Sequence, residues 1–167
     1  LAPFWDMGMR PNSTTGNPGR TYRFLDTSIV EPLWPFGFGL SYTGFTIQFV
    51  QTPSLPIAPG DTTMWIAEVL NTGTHFSGDV VVTCYVDARA QRVVTEPPVR
   101  SLFGFQRIEG LAPAKSTLVE FELTPRGRAL VTPEGQQSRA LATTYLLHEE
   151  RGRVMFNYMN SLTCVPT

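Results

Sequence analysis

The chain has 167 residues, 42% of them apolar and only 16% charged, with a net charge of −1. That balance supplies a core and is too aromatic and too weakly charged for disorder. It also excludes a basic nucleic-acid footprint, because the thirteen basic residues (all Arg except Lys115) are scattered and offset by fourteen acids. The apolar runs are too short to span a bilayer.

Fourteen Pro and fourteen Gly favour short strands and turns over long helices. The sequence opens on Leu1, with no charged-then-apolar leader. It reads as the continuation of an upstream part. Residues 10–23, RPNSTTGNPGRTYR, hold breakers at Pro11, Gly16, Pro18 and Gly19, so regular structure is not expected there. Within them, Asn12-Ser13-Thr14 is a glycosylation sequon, and Asn12 is the candidate acceptor. Next comes WPFGFGLSYTGF (34–45), five aromatics set among glycines. Such a loop cannot cover its own rings and must pack on another surface.

From Phe45 the pattern is all-β. FTIQFV (45–50) is an extended run. PSLPIAPGD (53–61) reads as a loop, and TMWIAEVL (63–70) puts Trp65, Ala67 and Val69 on one face. Asn71-Thr72-Gly73 is a turn signal. GDVVVTCYVDA (78–88) is apolar on both faces, as a central strand would be. RSLFGFQRI (100–108) follows, and STLVEFEL (116–123) alternates Leu118, Glu120 and Glu122 against Val119, Phe121 and Leu123. RGRALVTPEG (126–135) fits either a helical turn or an edge strand. ALATTYLLH (140–148) and RVMFNYM (153–159) complete seven strands, joined by a turn at EERG (149–152). Seven short strands separated by turn signals predict an aligned β-sandwich preceded by an irregular N-terminal extension.

The chemistry of the residues points away from catalysis within the chain. Acid–base catalysis by carboxylates, for example, needs two of them brought together in one cleft. Here most Asp and Glu fall in turns or on outer strand faces, and no cleft-forming loop collects a pair. His75 and His148 have no nucleophile elbow or triad partner nearby in sequence and read as surface residues. GFGLSY (37–42) lacks the Lys-Ser/Thr of a phosphate loop. No metal cluster and no cofactor motif is found. Arg20 and Arg23 offer planar donor forks, and Tyr22, Trp34 and Phe36 offer stacking faces. These residues are candidates for a substrate edge or, by the commoner use of Arg with loop aromatics, for a domain interface. Cys84 and Cys164 are either a buried strand thiol with a free tail thiol or a disulfide tying the tail to the sandwich, a choice that spacing does not make.

NPGRTYRF (17–24) followed by WPFGFGLSYTGF (34–45) resembles the junction motif of glycoside hydrolase family 3, usually PGRTYRF then PFGHGLSYTTF. DMGMRPN (6–12) is similar to the β-xylosidase version of the leader. VLNTGTHFSGDVVVTCYV (69–86) and SLFGFQRIEGLAPAKSTLVEFELTP (101–125) resemble the family's later stretches in the same order. The resemblance covers residues 6 to 125 and is weak from 126 onward.

The resemblance implies an all-β, fibronectin-III/immunoglobulin-like domain at residues 44–167, preceded at 1–43 by an extended junction segment from the preceding α/β domain. It implies a secreted or extracellular parent that is a retaining β-glycosidase, with its nucleophile and acid/base in upstream domains. This chain would be a non-catalytic segment that buttresses those domains and lines the cleft edge. Its partners would be the upstream domains or a cleaved partner chain, with carbohydrate a further candidate. Two departures stand out: Phe38 replaces the family's His, joining the candidate edge or interface residues, and TTYLLHEERGRVMF (143–156) replaces the usual last strand. They keep open an alternative, a non-catalytic structural or binding subunit of a larger assembly that inherited the sandwich.

Overall fold

A computed structural model describes residues 3–25, 27, 29–34, 36–53, 57–58, 60–86, 97–131, 135, 137–138 and 154–157; for the last two stretches only the backbone is described. A helical turn, α1 (Thr21–Phe24), lies in an otherwise irregular N-terminal segment. Then come β1 (Phe45–Gln51), β2 (Thr63–Asn71), β3 (Gly78–Val86), β4 (Ser101–Leu111) and β5 (Ser116–Leu123). A second turn, α2 (Pro125–Arg128), leads to β6 (Leu130–Val131), β7 (Gln137–Ser138) and β8 (Val154–Asn157). The strands expected at 140–148 and the turn at 149–152 lie outside the described residues.

Among the described residues the main strands form two antiparallel three-stranded sheets, in the orders β1-β2-β5 and β4-β3-β8, with β6-β7 as a separate ribbon. The architecture is the all-β sandwich expected from the turn spacing. Side-chain alternation sets the registers. On β2, Thr63, Trp65, Ala67, Val69 and Asn71 are buried and the residues between them are not. On β5 the same alternation buries Val119, Phe121 and Leu123 and leaves Leu118, Glu120 and Glu122 exposed. The two strands pair with Trp65 opposite Phe121 and Ala67 opposite Val119, so both apolar rows share one face.

β3 is the central strand of the second sheet, as its two apolar faces require. Val80, Val82 and Cys84 pack into the core, and Tyr85 and Val86 are also buried. The β-branched run Val80-Val81-Val82 suits this pleated, doubly covered position. Each valine so buried contributes roughly 1.5–3 kcal/mol relative to exposure. Phe45, Trp65, Phe121 and Leu123 fill the core with them. Ile57, in the loop before β2, is only 4% exposed and joins the same cluster.

The segment left ambiguous by the sequence, 126–135, contains both alternatives in succession. Thr124 caps α2, its Oγ1 accepting from the Gly127 N–H at 3.2 Å, with Pro125 at the first position. The chain then extends again into β6. Each piece is too short to show a hydrophobic period. Arg128 ends the helical turn and is buried, its Nη2 donating to the carbonyls of Ala58 and Asp61.

At one end of the sandwich sits Asn71, fully buried. Its Nδ2 donates to the carbonyls of Phe76 at 3.0 Å and Leu111 at 2.8 Å. Its Oδ1 accepts from the Gly73 N–H at 2.9 Å and from Thr43 Oγ1 at 2.6 Å. Its backbone bonds Lys115 and Ala114. One side chain thus joins the residue run before β1, the β2–β3 turn and the end of β4. The packing is tight enough that a Cβ on Gly73 would lie 2.0 Å from Thr43 Oγ1, which only glycine avoids.

Candidate functional site

The N-terminal segment holds its shape with polar contacts rather than a core. Asn12 and Asn17 exchange both backbone hydrogen bonds, at 2.7 and 3.0 Å, closing a turn between them. Asp6 accepts from the Gly8 N–H at 2.8 Å and from Thr15 Oγ1. Those two bonds, the Thr15 hydroxyl foremost, hold the Asp6 carboxyl below the usual aspartate range. Asn17 is buried, donating to Gly8 O at 2.9 Å and accepting from the Gly19 N–H at 3.0 Å. Gly19 sits at φ 90°, where a Cβ would meet the Phe24 carbonyl at 2.2 Å, so the PGR step requires glycine.

The candidate residues separate into distinct roles on these coordinates. Arg20 turns inward: its Nη2 donates to Pro3 O at 2.9 Å and Asp6 O at 2.6 Å, binding the segment to itself. Tyr22 stacks on Phe36, centroids 4.4 Å apart, and meets Tyr85 of β3 edge-on at 5.7 Å. Arg23 is exposed; its carbonyl accepts from the Val99 N–H at 2.6 Å and its Nη2 lies 3.5 Å from Ser101 Oγ. Tyr22 O accepts from Arg100 Nε at 3.4 Å. Tyr22 and Arg23 therefore fasten α1 to β3 and to the start of β4.

Trp34 and Phe38 stack on each other at 4.5 Å, yet Trp34 remains 63% exposed. Phe36 and Phe38 are also exposed. Phe4, Trp5, Leu33, Leu40 and Tyr42 are more open still, Tyr42 at 96%. The N-terminal segment thus presents a concentration of large exposed apolar side chains, with Phe76, Phe105 and Leu118 exposed on the sandwich as well.

Asn12 is exposed, and its Oδ1 accepts from the Thr14 N–H at 3.0 Å. Cys84 is buried in the core on β3, and Cys164 lies outside the described residues, as does His148. His75 is exposed. Among the described residues, Asp79 and Glu68 are engaged structurally. Asp79 accepts from Gly110 N at 2.9 Å and from Arg107 Nη2 at 2.5 Å. Glu68, whose carboxyl is lowered by Ser116 and Gln48, accepts from Gln48 Nε2 at 2.8 Å. Glu120 and Glu122 face outward from β5. Among the described residues no group of three or more His, Cys, Asp or Glu is placed to hold a metal ion, and no helix is long and apolar enough to cross a membrane.

Two positions escaped sequence reasoning. Asn71 reads locally as a turn residue, although its partners Thr43 and Leu111 lie 28 and 40 residues away. Arg128 lies in the stretch that the sequence leaves open between a helical turn and an edge strand, and it is 2% exposed. No local signal marks either.

Comparisons with known proteins agree with this architecture. A fibronectin type III-like domain profile matches residues 80–149, extending past the region of clear resemblance. The chain is 34% identical over 137 residues to a probable exo-1,4-beta-xylosidase of Aspergillus flavus, covering 73% of this chain and 16% of that protein. It is 40% identical over 114 residues to a beta-xylosidase of Formosa agariphila, covering 68% of this chain and 15% of that protein. Among solved structures, a β-glucosidase of Erythrobacter marinus matches with a TM-score of 0.57 and 33% identity, over 64% of this chain and 14% of that one. The chain spans about a sixth of the length of the curated relatives it matches. It is an all-β, fibronectin-III-like chain that resembles the C-terminal region of β-xylosidase-like proteins of glycoside hydrolase family 3.

Proposed function

We propose that this chain is the non-catalytic C-terminal segment of a secreted retaining β-glycosidase, and that residues 1–43 clasp the upstream catalytic domains while the sandwich from 44 onward buttresses them. The observation that carries the reading is the exposure of Phe4, Trp5, Leu33, Trp34, Leu40 and Tyr42 on one continuous segment of chain. Clustered apolar exposure of this kind marks a surface made to be covered. The segment is anchored on its other side to the sandwich through Tyr22, Arg23, Val99 and Arg100. It is therefore fixed to the sandwich at α1 while these side chains stay open, as a clasp would be. The Trp34–Phe38 pair would stand at the cleft edge, where its stacked rings suit a sugar face. The relatives named xylosidases support xylosides as the substrate class.

The test is made in the intact protein. Replacing Leu40 and Tyr42 together with Ser should lower its melting temperature and its turnover of an aryl β-xyloside, with the sandwich still folded. Unchanged stability and turnover in that double variant would remove the reading. An intact protein that folds and shows no glycosidase activity would instead favour a non-catalytic subunit.

A further inference from the structure

The N-terminal segment contains a polar turn that the clasp leaves unused. Asn12-Ser13-Thr14 is the one Asn-X-Ser/Thr sequence in the chain, and its middle residue is not proline. Asn12 and Asn17 close the turn through their paired backbone bonds. The two arms differ. Asn12, Ser13, Thr14 and Gly16 are exposed, whereas Asn17, Pro18 and Gly19 are buried. The bonds of Asn17 to Gly8 and Gly19 pin the return arm inward, which leaves the Asn12 arm facing solvent. Among the described residues from 10 to 28, none exposes a large apolar side chain. The sequon therefore lies outside the apolar stretches assigned to the upstream domains.

The Asn12 carboxamide is also presented in a fixed way. Its Oδ1 accepts from the Thr14 N–H at 3.0 Å, which folds the amide back over its own loop, beside the residue that carries the sequon hydroxyl. The backbone on the other side is held as well, with Thr15 Oγ1 3.3 Å from Asn12 O. The Asn12 side chain is the smallest of the contacts that lower the Asp6 carboxyl. An amide that carries a sugar on Nδ2 keeps one of its two N–H donors, so that contact survives the modification. A bulky, hydrated sugar needs a surface position, and this arm offers one.

We infer that Asn12 is an N-linked glycosylation site, taking its oligosaccharide from a polyprenyl-pyrophosphate donor through an oligosaccharyltransferase. In the transfer, Asn12 Nδ2 bonds to the anomeric carbon of the donor sugar. The bond from that carbon to the pyrophosphate oxygen breaks, the pyrophosphate leaves with the electron pair, and the amide gives one proton to the transferase. The inference rests on the reading of the parent as secreted, because the transferase and its donor meet the chain on the secretory route.

The test is peptide mass mapping of the intact protein recovered from the medium of a yeast host, before and after treatment with an N-glycosidase. The peptide holding residues 12–14 should carry a hexose and N-acetylhexosamine mass that the enzyme removes. Thr14→Ala keeps the backbone N–H that bonds Asn12 and should fold, with an unchanged melting temperature, yet lose the sugar completely; Thr14→Ser should retain it. An unmodified Asn12 in the recovered protein overturns the site. So does a sugar that resists the enzyme or survives Thr14→Ala, which would place it on a hydroxyl. Either result leaves the clasp standing, since the Leu40 and Tyr42 double variant tests that separately.

Discussion

Thr43 Oγ1 donates to the Asn71 Oδ1 at 2.6 Å, so the end of the N-terminal segment is bonded to the end of β2 through a fully buried amide. The other three side-chain bonds of Asn71 run to Gly73, Phe76 and Leu111. All four capacities of the amide that an asparagine offers are used. The segment and the sandwich are therefore coupled through a site with no slack in its hydrogen bonding.

Asn71→Ala should cost about 3–4 kcal/mol, because it removes four bonds made by a fully buried side chain and leaves the carbonyls of Phe76 and Leu111 without that donor. Thr43→Val, which deletes only one hydroxyl, should cost about 1 kcal/mol. Urea denaturation of both variants checks the ratio. Equal effects would mean that the node is not organised around Asn71.

Phe121→Ala should cost about 3–5 kcal/mol, since the ring is buried between the sheets opposite Trp65 and 6.5 Å from the Phe103 ring. Glu122→Ala, the next residue but outward-facing, should stay within about 0.5 kcal/mol. The comparison measures the inside-outside alternation of β5 directly.

The Asp79 carboxyl is held below its ordinary value of 3.8, first by the Gly110 N–H and then by Arg107. A depressed carboxylate stabilises the fold above its unfolded pKa, and the contribution is lost as pH falls through the lower folded value. The melting temperature of the wild type should exceed that of Asp79→Asn at neutral pH. The gap should close as pH drops below 3.8. A gap that persists unchanged into that acid range would assign the effect to packing instead.

Burial pushes the Tyr85 phenol above its ordinary value of 10.0, with Tyr22 and Phe36 stacked outside it and Arg100 5.5 Å over the ring. The neutral phenol is favoured in the fold, so its contribution is present below the ordinary value and lost as pH rises through the raised one. In an ultraviolet titration one tyrosine should ionise late, and Tyr85→Phe should delete that phase. A late phase that remains in the variant would point to another tyrosine.

The parts of this fold legible in the sequence are those where burial repeats along a strand. Trp65, Ala67 and Val69 announce β2, Val119, Phe121 and Leu123 announce β5, and the doubly apolar run at 80–86 announces a central strand. The N-terminal candidates were legible as a class, because Arg and aromatic residues among glycines cannot satisfy themselves. Their division of labour was not: Arg20 bonds inward to Pro3 and Asp6, whereas Trp34 points its surface outward. That distinction depends on the fold of the loop, not on residue type. Asn71 and Arg128 were illegible because their partners are distant in sequence.

The clasp is tested most directly by hydroxyl-radical footprinting of Trp34, Leu40 and Tyr42, in the 167-residue chain and in the intact protein. All three side chains are open here and should label strongly in the chain by itself. They should be protected severalfold when the upstream domains are present. Labelling that is equally strong in the intact protein would show that nothing covers the N-terminal segment, and would contradict the account.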